Sequence, residues 1–259
     1  MASVMVFERY EKKYILDRNA LSEVKNAMAG RLVPDMYGKT TIANLYFDSK
    51  DYKVIRSSIE ATTYKAKLRV RSYGRVKEGG TVFVELKKKY EGIVYKRRVE
   101  IPEFPAMDWL CAGGTLPPID IREKEGQPNY RRIGKEIDDF RYRFGKEAIL
   151  PKVYLSYERE AYAPVSENEE DIRITFDTNI LARDYDLSLR SEAYGDLVLD
   201  PDLTVMEIKI PKYRAMPLWL SRCLSENNIM PHSFSKYGTY YRERLIGKKN
   251  DTIGGRRYA

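Results

Sequence analysis

Tyr64-Lys65-Ala66-Lys67-Leu68-Arg69-Val70-Arg71 sets Lys65, Lys67, Arg69 and Arg71 in alternation with Ala66, Leu68 and Val70. A two-residue repeat is the period of a β-strand, so the stretch predicts a strand with one cationic and one aliphatic face. A single strand of this kind is an ordinary solvated one. Its neighbours repeat the pattern.

Residues 81–89 place Val82, Val84 and Leu86 against Phe83, Glu85, Lys87 and Lys89. After a Glu91-Gly92 turn, residues 93–101 carry Lys96, Arg98 and Glu100 on one side, which predicts a hairpin. Upstream, residues 6–16 alternate Phe7, Arg9, Glu11 and Lys13 with Glu8, Tyr10, Lys12 and Tyr14, and residues 40–47 read as a second strand ending at Asp48-Ser49. Downstream, residues 152–160 put Tyr157 and Arg159 on one face. Residues 171–177 do so with Arg173, Thr175 and Asp177, and residues 200–210 with Glu207 and Lys209.

Between these strands lie amphipathic stretches. Asp17 is placed to cap a helix through Leu21, Val24 and Met28 that stops at Gly30. Residues 102–148 read as a helical insertion, with a short helix at 105–111, breaks at Gly113-Gly114 and Pro117-Pro118, and helical spacing through Ile133, Ile137 and Phe140. Residues 217–227 and 235–246 are also helical in pattern. These helices could cover the aliphatic strand faces from outside, leaving the ionic faces to line the interior of a barrel.

Such an interior cannot be dry. Same-face neighbours on a strand sit about 6.6 Å apart, and at an effective dielectric near 20 each like-charge pair repels by roughly 2.5 kcal/mol. Glu11, Glu85 and Glu207 are fewer than Lys13, Lys67, Arg69, Arg71, Lys87, Arg98, Arg159, Arg173 and Lys209 require. The surplus asks for phosphate, with a carboxylate left to hold a divalent cation. The other reading is an outward, salt-bridged sheet face.

Composition agrees. The 259 residues carry a net charge of +8, which favours an anionic partner. Lys248, Lys249, Arg256 and Arg257 against Asp251 leave +3 in the 248–259 tail, which reads as flexible, and +5 elsewhere. Cys111 and Cys223 fit no metal spacing and read as reduced thiols of a cytoplasmic protein, and His232 stands alone. No apolar run approaches a membrane span, and no nucleic-acid motif is present.

Taken in order, Arg9-x-Glu11-x-Lys13, Lys67-x-Arg69-x-Arg71 with Tyr73-Gly74, Val84-Glu85-Leu86-Lys87, Lys96 to Arg98, Tyr157-x-Arg159, Arg173-x-x-x-Asp177, Glu207-x-Lys209 and Ser235-Lys236-Tyr237 resemble the VTC polyphosphate polymerase domain, within the triphosphate tunnel metalloenzymes (CYTH-like). The resemblance runs from about Val6 to Ile246. It implies an α+β fold, an antiparallel eight-stranded β-barrel with peripheral helices, as one domain over 1–247. It also implies phosphate binding by Lys67, Arg69, Arg71, Lys87, Arg98, Tyr157, Arg159 and Arg173. Glu207 would coordinate Mn²⁺ or Mg²⁺, and Ser235 with Lys236 would close one tunnel mouth.

On that basis Arg69, Arg71, Arg159 and Lys236 are expected to be catalytic, with Arg9, Lys13, Lys96 and Lys209 joining the phosphate contacts and Glu11 and Glu85 the metal candidates. The family's opening signature has two glutamates and a lysine at alternate positions. Here Arg9 stands at the first, which leaves Glu11 for ligation there. The expected activity is transfer of the ATP γ-phosphate to a growing inorganic polyphosphate, releasing ADP. A triphosphate or short-polyphosphate hydrolase on the same scaffold and a non-catalytic polyanion-binding module are the alternatives. The regulatory phosphate-sensing domain and membrane helices of the eukaryotic complex have no counterpart in the sequence, so coupling to translocation is not expected.

Overall fold

The computed structural model describes residues 9–61, 63–91, 93–112, 114–117, 130–145, 149–165 and 171–246, without the Arg9 side chain. The Gly92 half of the expected turn, Gly113, Pro118 and the 248–259 tail lie outside the described residues, as do residues 6–8 of the first expected strand.

Each alternating stretch contains a strand, though residues 200–203 form a turn before the last long strand and the 171–177 strand begins at Arg173. The chain order is β1 (Arg9–Leu16), α1 (Arg18–Met28), β2 (Leu32–Pro34), β3 (Thr40–Asp48), α2 (Lys53–Glu60), β4 (Tyr64–Tyr73), β5 (Thr81–Tyr90), β6 (Ile93–Pro102), α3 (Glu103–Cys111), α4 (Tyr130–Phe144), β7 (Leu150–Pro164), β8 (Arg173–Arg183), β9 (Asp196–Leu197), β10 (Thr204–Pro211), α5 (Leu218–Glu226) and α6 (Lys236–Tyr240). The strands hydrogen-bond in the order β1-β10-β8-β7-β3-β4-β5-β6, with β2 added on β7 and β9 on β8. The β1–β10, β10–β8, β3–β4, β4–β5 and β5–β6 pairs are antiparallel. This is the antiparallel eight-strand fold with peripheral helices that the sequence implies.

The described residues fall into two compact units. The first takes in those of Met1–Thr41, Tyr157–Ile180 and Leu197–Ser235; the second those of Ile42–Ser156, Leu181–Asp196 and Lys236–Ala259.

In the first unit Tyr14, Leu16, Ile172, Ile174, Phe176, Met206, Ile208 and Ile210 are buried with Val24 and Met28 of α1 and Leu220, Cys223 and Leu224 of α5. Asp17 caps α1 as its residue type requires, its Oδ1 accepting from the Ala20 N–H at 2.8 Å. In the second unit Ala66, Leu68 and Val70, with Val82, Val84 and Leu86, are buried against Ala106, Trp109 and Leu110 of α3 and Ile133, Ile137 and Phe140 of α4. In each unit the helices cover the aliphatic strand face, so the ionic residues occupy the other face by alternation.

Three features were not read from sequence. β2 and β9 are too short to show a period. Residues 184–196 fold around the fully buried Arg183, whose guanidinium lies 3.6 Å from the Tyr154 ring centre and donates to the Tyr194 carbonyl at 2.7 Å. The expected 235–246 helix is α6 followed by a π-type turn, Tyr241–Ile246, and consecutive Tyr240 and Tyr241 are both buried there. Among the described residues no helix is long and apolar enough to cross a membrane.

Candidate functional site

Strand register in the second unit lines the ionic residues up in rows. Tyr46, Arg69, Glu85 and Arg98 form one row across β3, β4, β5 and β6. Asn44, Arg71, Phe83 and Glu100 form the next, and Lys67, Lys87 and Lys96 stand opposite one another on the other side.

Glu85 is the hub. Only 1% exposed, it takes Arg69 at 2.6 Å, Lys96 at 3.0 Å, Arg98 at 3.7 Å and Arg71 at 3.8 Å. Burial pushes its carboxyl up, but Arg69, Arg71 and Lys96 outweigh that and hold it far below the usual carboxylate range. Shared by four cations, Glu85 serves as the counter-ion of the cationic face.

β3 contributes two groups that the sequence reading passed over. Asn44, fully buried, donates to the Leu155 carbonyl at 3.1 Å and accepts from Arg71 Nε at 3.1 Å, so it fixes the Arg71 guanidinium. The Tyr46 hydroxyl accepts from Arg69 at 3.0 Å. Burial raises the Tyr46 phenol, but the fields of Arg69, Lys67 and Arg71 with the Arg69 hydrogen bond bring it down to about 8. The signal was present: an asparagine and a tyrosine two apart inside an apolar strand share a face.

The Tyr46 ring lies 4.8 Å from that of Tyr237, whose hydroxyl donates to Asp48 at 2.8 Å. Asp48 also accepts from the Val54 and Ile55 N–H groups, at 2.8 and 3.0 Å, at the start of α2. Lys236 opens α6 immediately before Tyr237.

In the first unit the register sets Lys13, Glu207 and Thr175 in one row, and Glu11, Lys209 and Arg173 in the next. Here each cation has a carboxylate at hand. Lys209 meets Glu207 at 2.7 Å, and Arg159 grips Asp177 with two bonds, at 2.6 and 2.7 Å. Burial lowers the Arg159 guanidinium, but Tyr157, Asp177 and Glu207 outweigh it and raise it. Asp177 is thus a site residue the sequence reading left among the motif letters. Tyr157 lies beside Arg159, its ring centre 5.2 Å from the guanidinium carbon.

Other expected residues have local partners. Arg173 donates to Asp35 at 3.1 Å, and Lys13 to the Phe234 carbonyl at 3.1 Å, which sets Ser235 one residue from that contact. The Arg9 side chain lies outside the described residues.

Glu207, 6% exposed, lies within hydrogen-bond reach of the Glu11 carboxyl. Burial pushes Glu207 up, yet Lys209, Lys13, the Glu11 bond and Arg159 together hold it well below its ordinary value. The Thr175 hydroxyl, opposite Glu207 in register and buried, has no hydrogen-bond partner among the described residues. Among those residues no three or more His, Cys, Asp or Glu side chains are grouped to cage a metal. A carboxylate pair nevertheless fits Mg²⁺ or Mn²⁺, which are commonly held by one or two carboxylates with substrate phosphate completing the shell.

In each unit the strands pair a helix-covered aliphatic face with a face of Lys, Arg and Glu. A family model described as the VTC domain matches residues 8–243, and the chain belongs to the VTC domain family. No protein with a curated description matches it. Similar solved structures include the following three. One is a candidate adenylate cyclase from Bacillus halodurans, 10% identical over 88% of this chain and 94% of that one, with a TM-score of 0.47. Another is a candidate adenylate cyclase from Vibrio parahaemolyticus, 12% identical over 90% and 97%, with a TM-score of 0.42. The third is a candidate adenylyl cyclase from Hippeastrum, described as revealing a dominant triphosphatase activity, 17% identical over 91% and 95%, with a TM-score of 0.45.

Proposed function

We propose that the chain is a metal-dependent polyphosphate polymerase that transfers the γ-phosphate of ATP to the end of a growing inorganic polyphosphate and releases ADP. The observation that carries this reading is the Lys67–Lys87–Lys96 row set beside the row of Arg69, Glu85 and Arg98. Like charges directly opposed across strands destabilise a sheet. A row of three lysines directly opposed across strands is accounted for by a polyanion laid along it.

The chemistry asks little more. Phosphoryl transfer needs in-line placement of the attacking and leaving oxygens and dispersal of charge on the transferred group, both of which fixed cations supply without a covalent residue. A terminal oxygen of the polyphosphate forms the new bond to the γ-phosphorus as the bond to the ADP oxygen breaks. Arg69 and Arg71, held by Glu85, Tyr46 and Asn44, take the equatorial oxygens, and Arg159, gripped by Asp177, is a further phosphate-binding candidate. Lys236 clamps a phosphate. Glu207 and Glu11 would hold the divalent cation, with Thr175 opposite Glu207 in register. When bound, that cation neutralises phosphate charge.

Incubating the purified chain with Mn²⁺ and ATP and resolving the products tests the proposal. Long polyphosphate with ADP is the expected result. Orthophosphate without polymer would make the chain a hydrolase, and unchanged ATP a binding module.

A further inference from the structure

The cationic face of the second unit ends abruptly. Next to the row of Arg69, Glu85 and Arg98, the Asn44–Arg71 row continues into Phe83 and Glu100, and two residues beyond Arg71 on the same face stands Tyr73. These groups are built into one cluster. The Arg98 guanidinium carbon lies 3.7 Å from the Phe83 ring centre, and Arg98 donates to the Tyr73 hydroxyl at 3.1 Å. The Tyr73 ring meets Phe83 edge-on, at 5.5 Å and 80°. Tyr73 is nonetheless 50% exposed.

A half-exposed aromatic ring held at its hydroxyl and at its edge presents a pre-oriented surface of the sort on which bases stack. Glu100 makes this end of the face unfavourable for phosphate. Alternate strand residues are about 6.6 Å apart, so a ring at Tyr73 sits within nucleotide reach of a phosphate held at Arg71.

We propose that Tyr73, oriented by Arg98 and Phe83, is the stacking platform for the base of a nucleoside triphosphate whose phosphates lie along Arg71 and Arg69. The inference rests on the phosphate-binding reading of that face and deepens it by naming the side chain that holds the base of the nucleotide donor. Stacking on a π face is tolerant of sequence, so purines are bound by ring size rather than by their hydrogen-bonding edge.

Calorimetric titration of the intact chain with ATP and, separately, with inorganic tripolyphosphate in metal-free buffer tests it through binding alone. Tyr73→Ala is expected to weaken ATP binding roughly 5- to 100-fold and to leave tripolyphosphate binding unchanged. Tyr73→Phe, which keeps the ring, is expected to retain most of the ATP affinity. Equal loss for both ligands would mean that Tyr73 only positions Arg98 and would overturn the platform. So would unchanged ATP binding in Tyr73→Ala. If the unsubstituted chain binds neither ligand, the phosphate reading itself falls, and the platform with it.

Discussion

The β4–β5–β6 face and the β1–β10–β8 face are made by the same alternation, yet they settle their charges differently. In the first, one buried glutamate, Glu85, is shared by Arg69, Arg71, Lys96 and Arg98. In the second, Glu207 answers Lys209, Asp177 answers Arg159 and Asp35 answers Arg173, and a second carboxylate, Glu11, reaches Glu207. A face on which one glutamate is shared by four cations gains from binding an anion. A face with carboxylates paired closely gains from binding a cation. On the proposed function, phosphate contacts fall mainly on β4, β5 and β6 and metal ligation on β1 and β10.

The largest effect should come from the shared counter-ion. Removing one partner of a buried ion pair costs about 3–5 kcal/mol, because the other charge is left uncompensated. Glu85→Gln should lose stability of that order in urea unfolding at neutral pH and recover part of it with inorganic tripolyphosphate. Glu207→Gln should gain no such recovery. The sign with pH follows from the depressed Glu85 carboxyl. Its stabilisation is complete above the ordinary glutamate range and is lost as pH falls toward its folded value, so the two proteins should converge in acid. Equal rescue of both variants by tripolyphosphate would erase the distinction between the faces.

Turnover should be sensitive to both faces while folding is not. Arg71→Ala and Glu207→Gln are each expected to lower product formation by roughly 10²–10³-fold or more, as loss of a preorganised charge-stabilising group does. Circular dichroism should show both folded. Full activity in either variant would remove the assignment of that face.

Chelation then separates the two. Tripolyphosphate binding through Arg69, Arg71 and Lys67 should survive EDTA, whereas turnover should stop. Calorimetry with and without chelator reads both. Loss of binding on chelation would place the metal among the phosphate contacts and contradict the division.

Period-two alternation made β4, β5 and β6 legible, and with them the rows of cations, because strand geometry alone puts alternate residues on one face. The helices that cover the other face followed from their own apolar spacing and from the Asp17 cap. What could not be read was pairing at long range. Which strand sits beside β4 decides that Asn44 meets Arg71 and Tyr46 meets Arg69, and nothing local to residues 40–48 states it. Asp177 was seen as a motif letter, but its two-bond grip on Arg159 depends on the fold. For the same reason the four cations that meet Glu85, two from β4 and two from β6, come together only once the fold sets those strands on either side of β5.

The smallest effect is the most direct report on the Arg69–Arg71 face. The Tyr46 phenol sits at about 8 because Arg69, Lys67 and Arg71 favour its anion more than burial opposes it. Near-ultraviolet absorbance should therefore show one of the 21 tyrosines ionising around pH 8, and Tyr46→Phe should abolish that step. An acid whose folded value is depressed gains stability on deprotonation. The native protein should accordingly gain on Tyr46→Phe, by on the order of 2 kcal/mol, as pH rises from about 8 toward the ordinary phenol value. Bound tripolyphosphate cancels the same cationic field, so it should move the early step upward toward that value. A step that ignores tripolyphosphate would mean that the anion does not lie on the Arg69–Arg71 face.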